Sequence, residues 1–524
     1  MHTSSEPDDL QAQFHEVVIV GNGPSAITLS YLLAGNWPYY ARAGAASDGI
    51  IPDHLHRKLS AHPTVSILEQ DLEYLSEGLE GRSNNPVSVL FDTLNHPGAD
   101  FGADEHSTIS WVYRPERAVD HLVLGRGPPG GVWQMTTNDL LTEEYDITDL
   151  CPLTLQKMTG DLLTVSLGSW MELPGLGFQQ WCLDNDRSRA RVTDVARYYA
   201  AYVQTMGLSD HFRDSTLVTS VRRLGSSPED SRLTVVPGSG QPIGRPPAAA
   251  APLWIVEGLR AGADDQLERF RVAARRVVLA CGTSDVPSRL GCPGEALPFV
   301  CHTLSTMEAL LASGGVTGTL LVIGAGLSAA DVILAACRRG VPVVHAFRRR
   351  ATDRALIFYR LPRALYPEYH QVHQMMRDGG RSCCHYRALA QARVLRIDPD
   401  GLVTLATGDG PAQVRVSHVA VMIGAQPGLQ FVDDQTVLGD SAGATADGRA
   451  RPLPVDAFTH ESENAPGLYA MGPLVGDNFV RFIQGGALAI AAHVARDRGE
   501  GGASEERPAT DQLMPISAPL GAGS

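Results

Sequence analysis

Two glycine-rich turns, about 300 residues apart, carry the residue types and spacing that suit binding of a dinucleotide diphosphate. The first, Gly21-Asn22-Gly23-Pro24-Ser25-Ala26, follows the apolar run Val17-Val18-Ile19-Val20. The second, Gly324-Ala325-Gly326-Leu327-Ser328-Ala329, follows Leu320-Leu321-Val322-Ile323. In each, the first glycine permits a tight turn and the second lets a pyrophosphate approach the backbone. The small Ala26 or Ala329 lets helix and strand pack closely. The helix that follows offers unpaired N–H groups and the positive end of its dipole to the phosphates. One such turn arises by chance in many α/β chains; two, each between an apolar strand and a helical run, predict two Rossmann-like units with a dinucleotide apiece.

The elements between and after the turns support that arrangement. The run Arg276-Val277-Val278-Leu279 leads into Ala280-Cys281-Gly282 and then Pro287, and Val419-Ala420-Val421-Met422 leads into Gly424 and Pro427. The first reads as the buried strand that crosses between units, and the second as a related strand that closes the second unit in the same way. Later, Gly467-Leu468-Tyr469-Ala470-Met471-Gly472 precedes Gln484-Gly485-Gly486-Ala487-Leu488-Ala489, a strand and then a helix of small residues beginning near Gln484.

Composition limits the partners. A chain of 524 residues can bury several cores. Its 43 basic and 58 acidic residues leave a net charge of -15, which disfavours nucleic acid and anionic membrane surfaces. Residues 1–13 read as a polar, acidic, flexible leader with no signal-peptide pattern, and no run approaches the roughly 18 apolar residues of a membrane span. A cytoplasmic protein is expected. Eight cysteines with no Cys-x-x-Cys spacing fit reduced thiols and argue against a flavin disulfide reductase. The adjacent Cys383-Cys384 reads as an incidental pair rather than a redox switch.

The rest of the chain gives an order of segments. A helix runs from Ile27 to about Leu33, and residues 35–117 form an irregular insertion in which Leu68, Leu72, Leu75 and Leu79 share one helical face. His121-Leu122-Val123-Leu124 is a short strand leading to Gly130-Gly131-Val132-Trp133. An acidic loop covers 136–161, a helix covers roughly Val192 to Met206, and strands begin near Ser215. Residues 242–252 are a Pro/Ala-rich linker, and 499–524 are expected to be disordered.

With these motifs in this order the chain resembles the two-dinucleotide-binding flavoproteins, and within them the flavin-containing, Baeyer–Villiger and N-hydroxylating monooxygenases. It is more closely similar to the oxidative-stress-induced growth inhibitor family. The phrases that carry this likeness are Tyr74 to Ser83 (YLSEGLEGRS), Leu365 to His370 (LYPEYH) and Gly476 to Ala487 (GDNFVRFIQGGA). The resemblance implies an α/β fold of two Rossmann-like domains, with a discontinuous FAD-binding domain over 14–298 and 418–498 and an NADPH-binding domain inserted at 299–417. It also implies an FAD- and NADPH-dependent monooxygenase linked to growth inhibition, cell death and late cytokinesis, with regulatory protein partners and a place at the midbody. The competing expectations are an NADPH oxidase or reductase releasing peroxide, and a regulatory flavoprotein scaffold or redox sensor with little turnover.

In such an enzyme the reduced flavin and O₂ form a C4a-peroxyflavin that is itself the oxidant, and the protein's tasks are binding, orientation and exclusion of water. That accounts for a sequence with no nucleophile elbow and no metal pair. His370, His373 and His385 lack carboxylate or cysteine partners at ligand spacing, so no metal is expected. The strand Val341 to Phe347 ends in Arg348-Arg349-Arg350, about 22 residues beyond Gly326, where guanidinium groups suit the 2′-phosphate of NADP better than the ribose hydroxyls of NAD. Arg348 and Arg349 are the best individual candidates, against a plain solvated turn.

Two departures from the family pattern concern the flavin. Where relatives end the second strand in a ribose-binding carboxylate, this chain has Leu124-Gly125-Arg126, so either another residue of the insertion holds the ribose or FAD binds less tightly. Gly472-Pro473 stands for the usual Gly-Asp, with Asp477 nearby as a substitute. Trp133 is a candidate wall beside the flavin or plain core, and the helix near Gln484 and Gly485 would aim its N-terminus at the flavin pyrimidine edge. On the substrate side, Ser169 and Arg481 are the catalytic candidates. Arg481 could steady an anionic flavin adduct or hold the nicotinamide, with a surface ion pair as the alternative. The substrate itself, a small molecule or a protein side chain, is not specified.

Overall fold

The computed structural model describes residues 11–42, 49–101, 105–134, 163–182, 189–237, 253–262, 266–408, 410–438 and 452–500. The acidic loop, the Pro/Ala-rich linker, most of the leader and nearly all of the tail lie outside these residues.

Continuous apolar runs become parallel strands buried on both faces. Gln11–Val20 is central to the first sheet, with Val17, Val18 and Ile19 fully buried. It pairs in parallel with His121–Leu124 on one side and Leu267–Leu279 on the other, so that Val20 lies level with both Leu124 and Leu279. Phe212–Arg213 extends one edge, Leu468–Ala470 adds a parallel strand beside Leu279, and Trp254–Ala261 and Thr216–Arg223 form an antiparallel flank. The strand starts at Gln11, so the last three residues of the expected leader are sheet: Gln11 to Phe14 pair with Thr234–Pro237.

The second sheet is parallel throughout, in the order Val300–Cys301, His418–Val421, Leu320–Ile323, Val343–Phe347, Tyr386–Ala390. His418–Val421 lies between Val300–Cys301 and Leu320–Ile323, so that strand belongs to the second unit and the expected boundary at 417 moves past it. The chain returns to the first unit through Ala425–Gln426, which pairs with Val286–Pro287 as a two-stranded crossing.

The insertion is better ordered than its sequence suggests. A hairpin of Asn36–Tyr40 and Ile109–Tyr113 frames helices Asp53–Ser60, Leu72–Ser76 and Pro86–Asn95. The single helix expected through Leu68 and Leu79 is broken. Ile67–Glu69 is a 3₁₀ turn, and Asp71 then accepts from the Glu73 and Tyr74 amides to start a new helix. Leu68, Leu72 and Leu75 still reach one core, shared with the closing helix Val480–Glu500.

Candidate functional site

The two glycine turns are built alike, and the likeness comes from what each glycine touches. At Gly21, φ is +109°, and a Cβ would fall 2.5 Å from the Ala280 carbonyl oxygen. Gly324 repeats this with φ +126° and 2.1 Å to the Met422 carbonyl oxygen. Each first glycine is therefore pressed onto the strand that crosses beside it. The second glycines behave oppositely: nothing lies within 4 Å of a Cβ built on Gly23 or on Gly326. Both are the N-cap residues of the helices that follow, Pro24–Leu33 and Leu327–Arg338, and neither helix start receives a side-chain hydrogen bond. Open space over the second glycine and uncapped N–H groups beyond it form the cradle that a diphosphate fits. Ala26 and Ala329 are buried behind the turns, and Ser328 lies in the first turn of the second helix.

A cleft of about 370 Å³ opens over the first turn. Gly21, Gly23, Pro24 and Ser25 form one wall, and Gly131 and Trp133 another. Ala280 and Gly282, just beyond the strand Leu267–Leu279, also line it, as do Pro473, Val480 and Ile483. Gly130 and Gly131 take φ +127° and +56°, and the Gly130 amide donates to the Asn22 carbonyl at 2.8 Å, which ties the Gly-Gly-x-Trp loop to the first turn. Trp133 meets Tyr199 edge-on, with ring centroids 6.3 Å apart. Gly472 has φ +66° and leaves room for Ser25, whose Oγ would be 2.5 Å from a Cβ there.

Among the described residues lining this cleft, one cation and one carboxylate occur, Arg126 and Asp285, joined at 3.4 Å. Arg126 follows the second strand, where the sequence lacks a carboxylate; Asp285 follows the crossing strand and also accepts from the Gly428 amide. Burial pushes the Asp285 carboxyl above its ordinary range, against the pull of Arg126. Among the described residues, none of the 35–117 insertion lines the cleft. Asp285 was not marked by the sequence because it is remote from the strand end where a ribose carboxylate is usually sought.

Several expected site residues lie elsewhere. Asp477 is 2% exposed and accepts from Ser83 at 2.5 Å, Ser88 at 2.7 Å and the Asn85 amide at 2.8 Å, which ties it to the start of helix Pro86–Asn95 instead of the cleft. Desolvation raises its pKa in spite of those three donors. The closing helix begins at Val480, four residues before Gln484, because the Phe479 carbonyl already accepts from Phe482 and Ile483. Gln484 therefore lies one turn inside, donating to the Glu172 carbonyl, and a Cβ on Gly485 would meet Ser88 Cα at 2.2 Å, a helix-to-helix contact.

Arg481 is buried, not a surface cation. Its Nη2 donates to Asp92 at 2.8 Å and to Asp100, and its guanidinium lies 4.7 Å from the Trp170 ring centre and 4.6 Å from that of Phe482. Neither Arg481 nor Ser169 lines the cleft. Ser169 sits in the 3₁₀ turn Gly168–Met171, buried, with no partner for its Oγ among the described residues. Desolvation lifts Asp92 to about 7 although Arg481 pulls it down, and burial lowers nearby His96 to about 3.

In the second unit Arg348 and Arg349 are exposed beyond Val343–Phe347, and Arg349 pairs with Asp353 at 3.0 Å. His345 is buried on this strand, between Tyr386 Oη at 2.7 Å and the Gly324 carbonyl at 2.5 Å, and burial lowers its pKa to about 4, so it supports the turn as a neutral ring. His370 and His373 each face a backbone carbonyl, of Leu361 and Ala351. The Gly324 turn does not border the cleft that opens over Gly21.

A pair of glycine cradles, one on a mixed sheet with a parallel core and one on a parallel sheet, joined by crossing strands, is the architecture of two-dinucleotide-binding flavoproteins. Solved structures agree at the level of fold. The Bacillus cereus bacillithiol disulfide reductase superposes with TM-score 0.52 at 16% identity, covering 93% of this chain and 100% of that one. A mutant flavin monooxygenase from Stenotrophomonas maltophilia gives 0.50 at 13%, covering 93% and 99%. The pyridine nucleotide-disulphide oxidoreductase family matches residues 259–495. The chain belongs to the oxidative stress-induced growth inhibitor family: it is 42% identical to growth inhibitor 1 of Mus musculus, over 94% of this chain and 98% of that protein. Human growth inhibitor 2 is 40% identical over 91% and 93%.

Proposed function

We propose that this chain is an FAD- and NADPH-dependent monooxygenase, with FAD at the Gly21 turn and NADPH at the Gly324 turn. The observation that carries the reading is the matched pair of second glycines, each open where a diphosphate would lie. FAD would supply the electron transfer and oxygen activation. Gly21, Gly23 and the amides beyond Pro24 would bind its diphosphate, Arg126 would add positive charge beside it, and Asp285 would accept from the adenosine ribose. Trp133, Val480 and Ile483 would wall the ring end and shed water from it. In the second unit Gly326 and Ser328 would receive the NADPH diphosphate while Arg348 and Arg349 faced the 2′-phosphate.

A second reading, an NADPH oxidase or reductase that releases peroxide, is favoured by one feature: the Gly324 turn does not share the cleft over Gly21. The experiment is the visible spectrum of the purified chain, followed by NADPH-dependent O₂ uptake with amine, sulfide or ketone substrates and catalase to score peroxide. Oxygenated product without stoichiometric peroxide supports the monooxygenase. Stoichiometric peroxide supports the second reading. A colourless protein that takes up no FAD removes both.

A further inference from the structure

We propose that Cys337 and Cys383 are an oxidisable dithiol that closes to a disulfide inside the second nucleotide-binding unit. Their sulfurs stand 3.9 Å apart although the residues are 46 positions apart in the chain. Cys337 lies near the end of helix Leu327–Arg338, and Cys383 lies in the turn between helix Pro367–Asp378 and strand Tyr386–Ala390. Both pack half-buried on the core of that unit, whereas Cys384 is exposed. A disulfide needs about 2.05 Å between sulfurs, so closure asks for an approach of roughly 2 Å. The adjacent Cys383-Cys384 draws the eye in the sequence, yet the partner the fold gives Cys383 is Cys337.

The turn that carries Cys383 is held on both sides. The Cys383 amide donates to the Gly380 carbonyl and the Tyr386 amide to the Cys383 carbonyl, each at 3.1 Å. Gly380 has φ +102°, and a Cβ there would fall 2.0 Å from the Tyr386 carbonyl oxygen, so the turn is fixed close to the strand. Tyr386 then reaches His345, and His345 the Gly324 carbonyl. Two side-chain hydrogen bonds thus connect the thiol pair to the second cradle.

The oxidant is a hydroperoxide. Burial raises the pKa of the Cys337 thiol, which packs on the helix side of the core and suits the resolving role, and Cys383, carried on the turn, makes the first attack. The Cys383 thiolate displaces one oxygen of H₂O₂, which gives a sulfenic acid and, with a proton, water. The Cys337 sulfur attacks that sulfenic sulfur, its proton leaves with the departing hydroxide as a second water, and the S–S bond forms. Two thiols lose two electrons in all, and one peroxide is reduced to two waters.

The test is peptide mapping of the full chain after treatment with a few equivalents of H₂O₂ and alkylation of remaining thiols. The expected result is a peptide pair cross-linked through Cys337 and Cys383, two hydrogens lighter than the free peptides and released by dithiothreitol. It should persist in Cys384→Ser and vanish in Cys337→Ser, where dimedone should label Cys383 instead. A Cys383–Cys384 bond in the native chain, or Cys337 and Cys383 both alkylated while Cys384 is oxidised, would overturn the proposal. The mapping of the native protein decides this even if a variant fails to fold, and it is independent of whether flavin is bound.

Discussion

Replacing Gly21 and Gly23 by alanine should have opposite consequences, although the two residues lie in one turn. At Gly21 the substituted residue keeps a φ of +109°, which costs roughly 1–2 kcal/mol for an L side chain. Its Cβ would also stand 2.5 Å from the Ala280 carbonyl, and relieving such overpacking costs about 1–3 kcal/mol more. The sum, roughly 2–5 kcal/mol, is a large fraction of the stability of most domains. At Gly23 φ is −73° and ψ 179°, extended backbone that any residue adopts, and the Cβ meets nothing within 4 Å. Alanine gains about 0.4–1 kcal/mol from a stiffer unfolded chain and loses a similar amount as a poorer N-cap, so stability should hold to within about 1 kcal/mol. The methyl group would instead fill the space a diphosphate needs. We expect Gly23→Ala to unfold in urea at nearly the native midpoint and to bind FAD at least tenfold more weakly, about 1.4 kcal/mol or more by fluorescence titration. Gly326→Ala should leave FAD bound and weaken NADPH by a similar factor. Native FAD affinity in a folded Gly23→Ala protein would refute the cradle, and native stability in Gly21→Ala would refute the argument from close approach.

Three further outcomes follow from the same geometry. Arg348→Ala and Arg349→Ala should reduce the preference for NADPH over NADH by on the order of tenfold each, measured as the ratio of dissociation constants; an unchanged ratio would place the 2′-phosphate elsewhere. Asp92, raised to about 7 when folded, holds its proton more tightly than in the unfolded chain, so its contribution to stability falls as pH rises from about 4 to about 7, by up to about 1.4 kcal/mol per unit. Asp92→Asn should flatten that part of the pH–stability curve, and an identical slope in both proteins would refute the assignment. Gly485→Ala should destabilise by roughly 1–3 kcal/mol in chemical unfolding, since its Cβ meets the Ser88 backbone, while an unaltered midpoint would show that the helices can part without cost.

The glycine turns and the central strands, including those that lead into the crossing, were legible in the sequence because they depend on local facts: continuous apolar runs, and a backbone conformation that only glycine adopts easily. What was not legible depends on distant partners. Asp477 looked like a substitute for a missing ribityl contact, but three donors from residues 83–88 claim it, and no local pattern at 477 announces them. Arg481 had the character of a catalytic or surface cation, and the carboxylates that bury it, Asp92 and Asp100, come from an insertion that read as irregular. Asp71 and its two capping bonds split an apparently continuous helix, because a cap can override a regular leucine spacing. The boundary expected at 417 falls just before His418–Val421, a strand of the second sheet, because strand order in a parallel sheet is set by crossover connections and not by sequence order.

The long phrases that mark the family and the short turns that suit nucleotides occupy different places. Ser83 ends the first phrase and bonds to Asp477, the second residue of the third; Arg481 and Gly485 of the third then meet Asp92 and Ser88 of helix Pro86–Asn95. Those two phrases are thus one contact, the docking of the insertion on the closing helix. The middle phrase does the corresponding task in the second unit. Arg189, from the strand Arg189–Arg191, bonds to Glu368 at 2.5 Å and to the Leu365 carbonyl at 3.1 Å, and its guanidinium lies 4.6 Å from the Tyr366 ring centre. Tyr366 in turn donates to the Val165 carbonyl of the neighbouring strand Leu163–Leu167. A guanidinium that is 7% exposed and bonded on several sides resists being pulled apart, since breaking the contact would strand buried charge. The three phrases therefore fasten the insertion and this hairpin around the two glycine cradles. Substitutions in them should act through the relative placement of those parts, and substitutions in Gly23 or Gly326 through the nucleotides themselves.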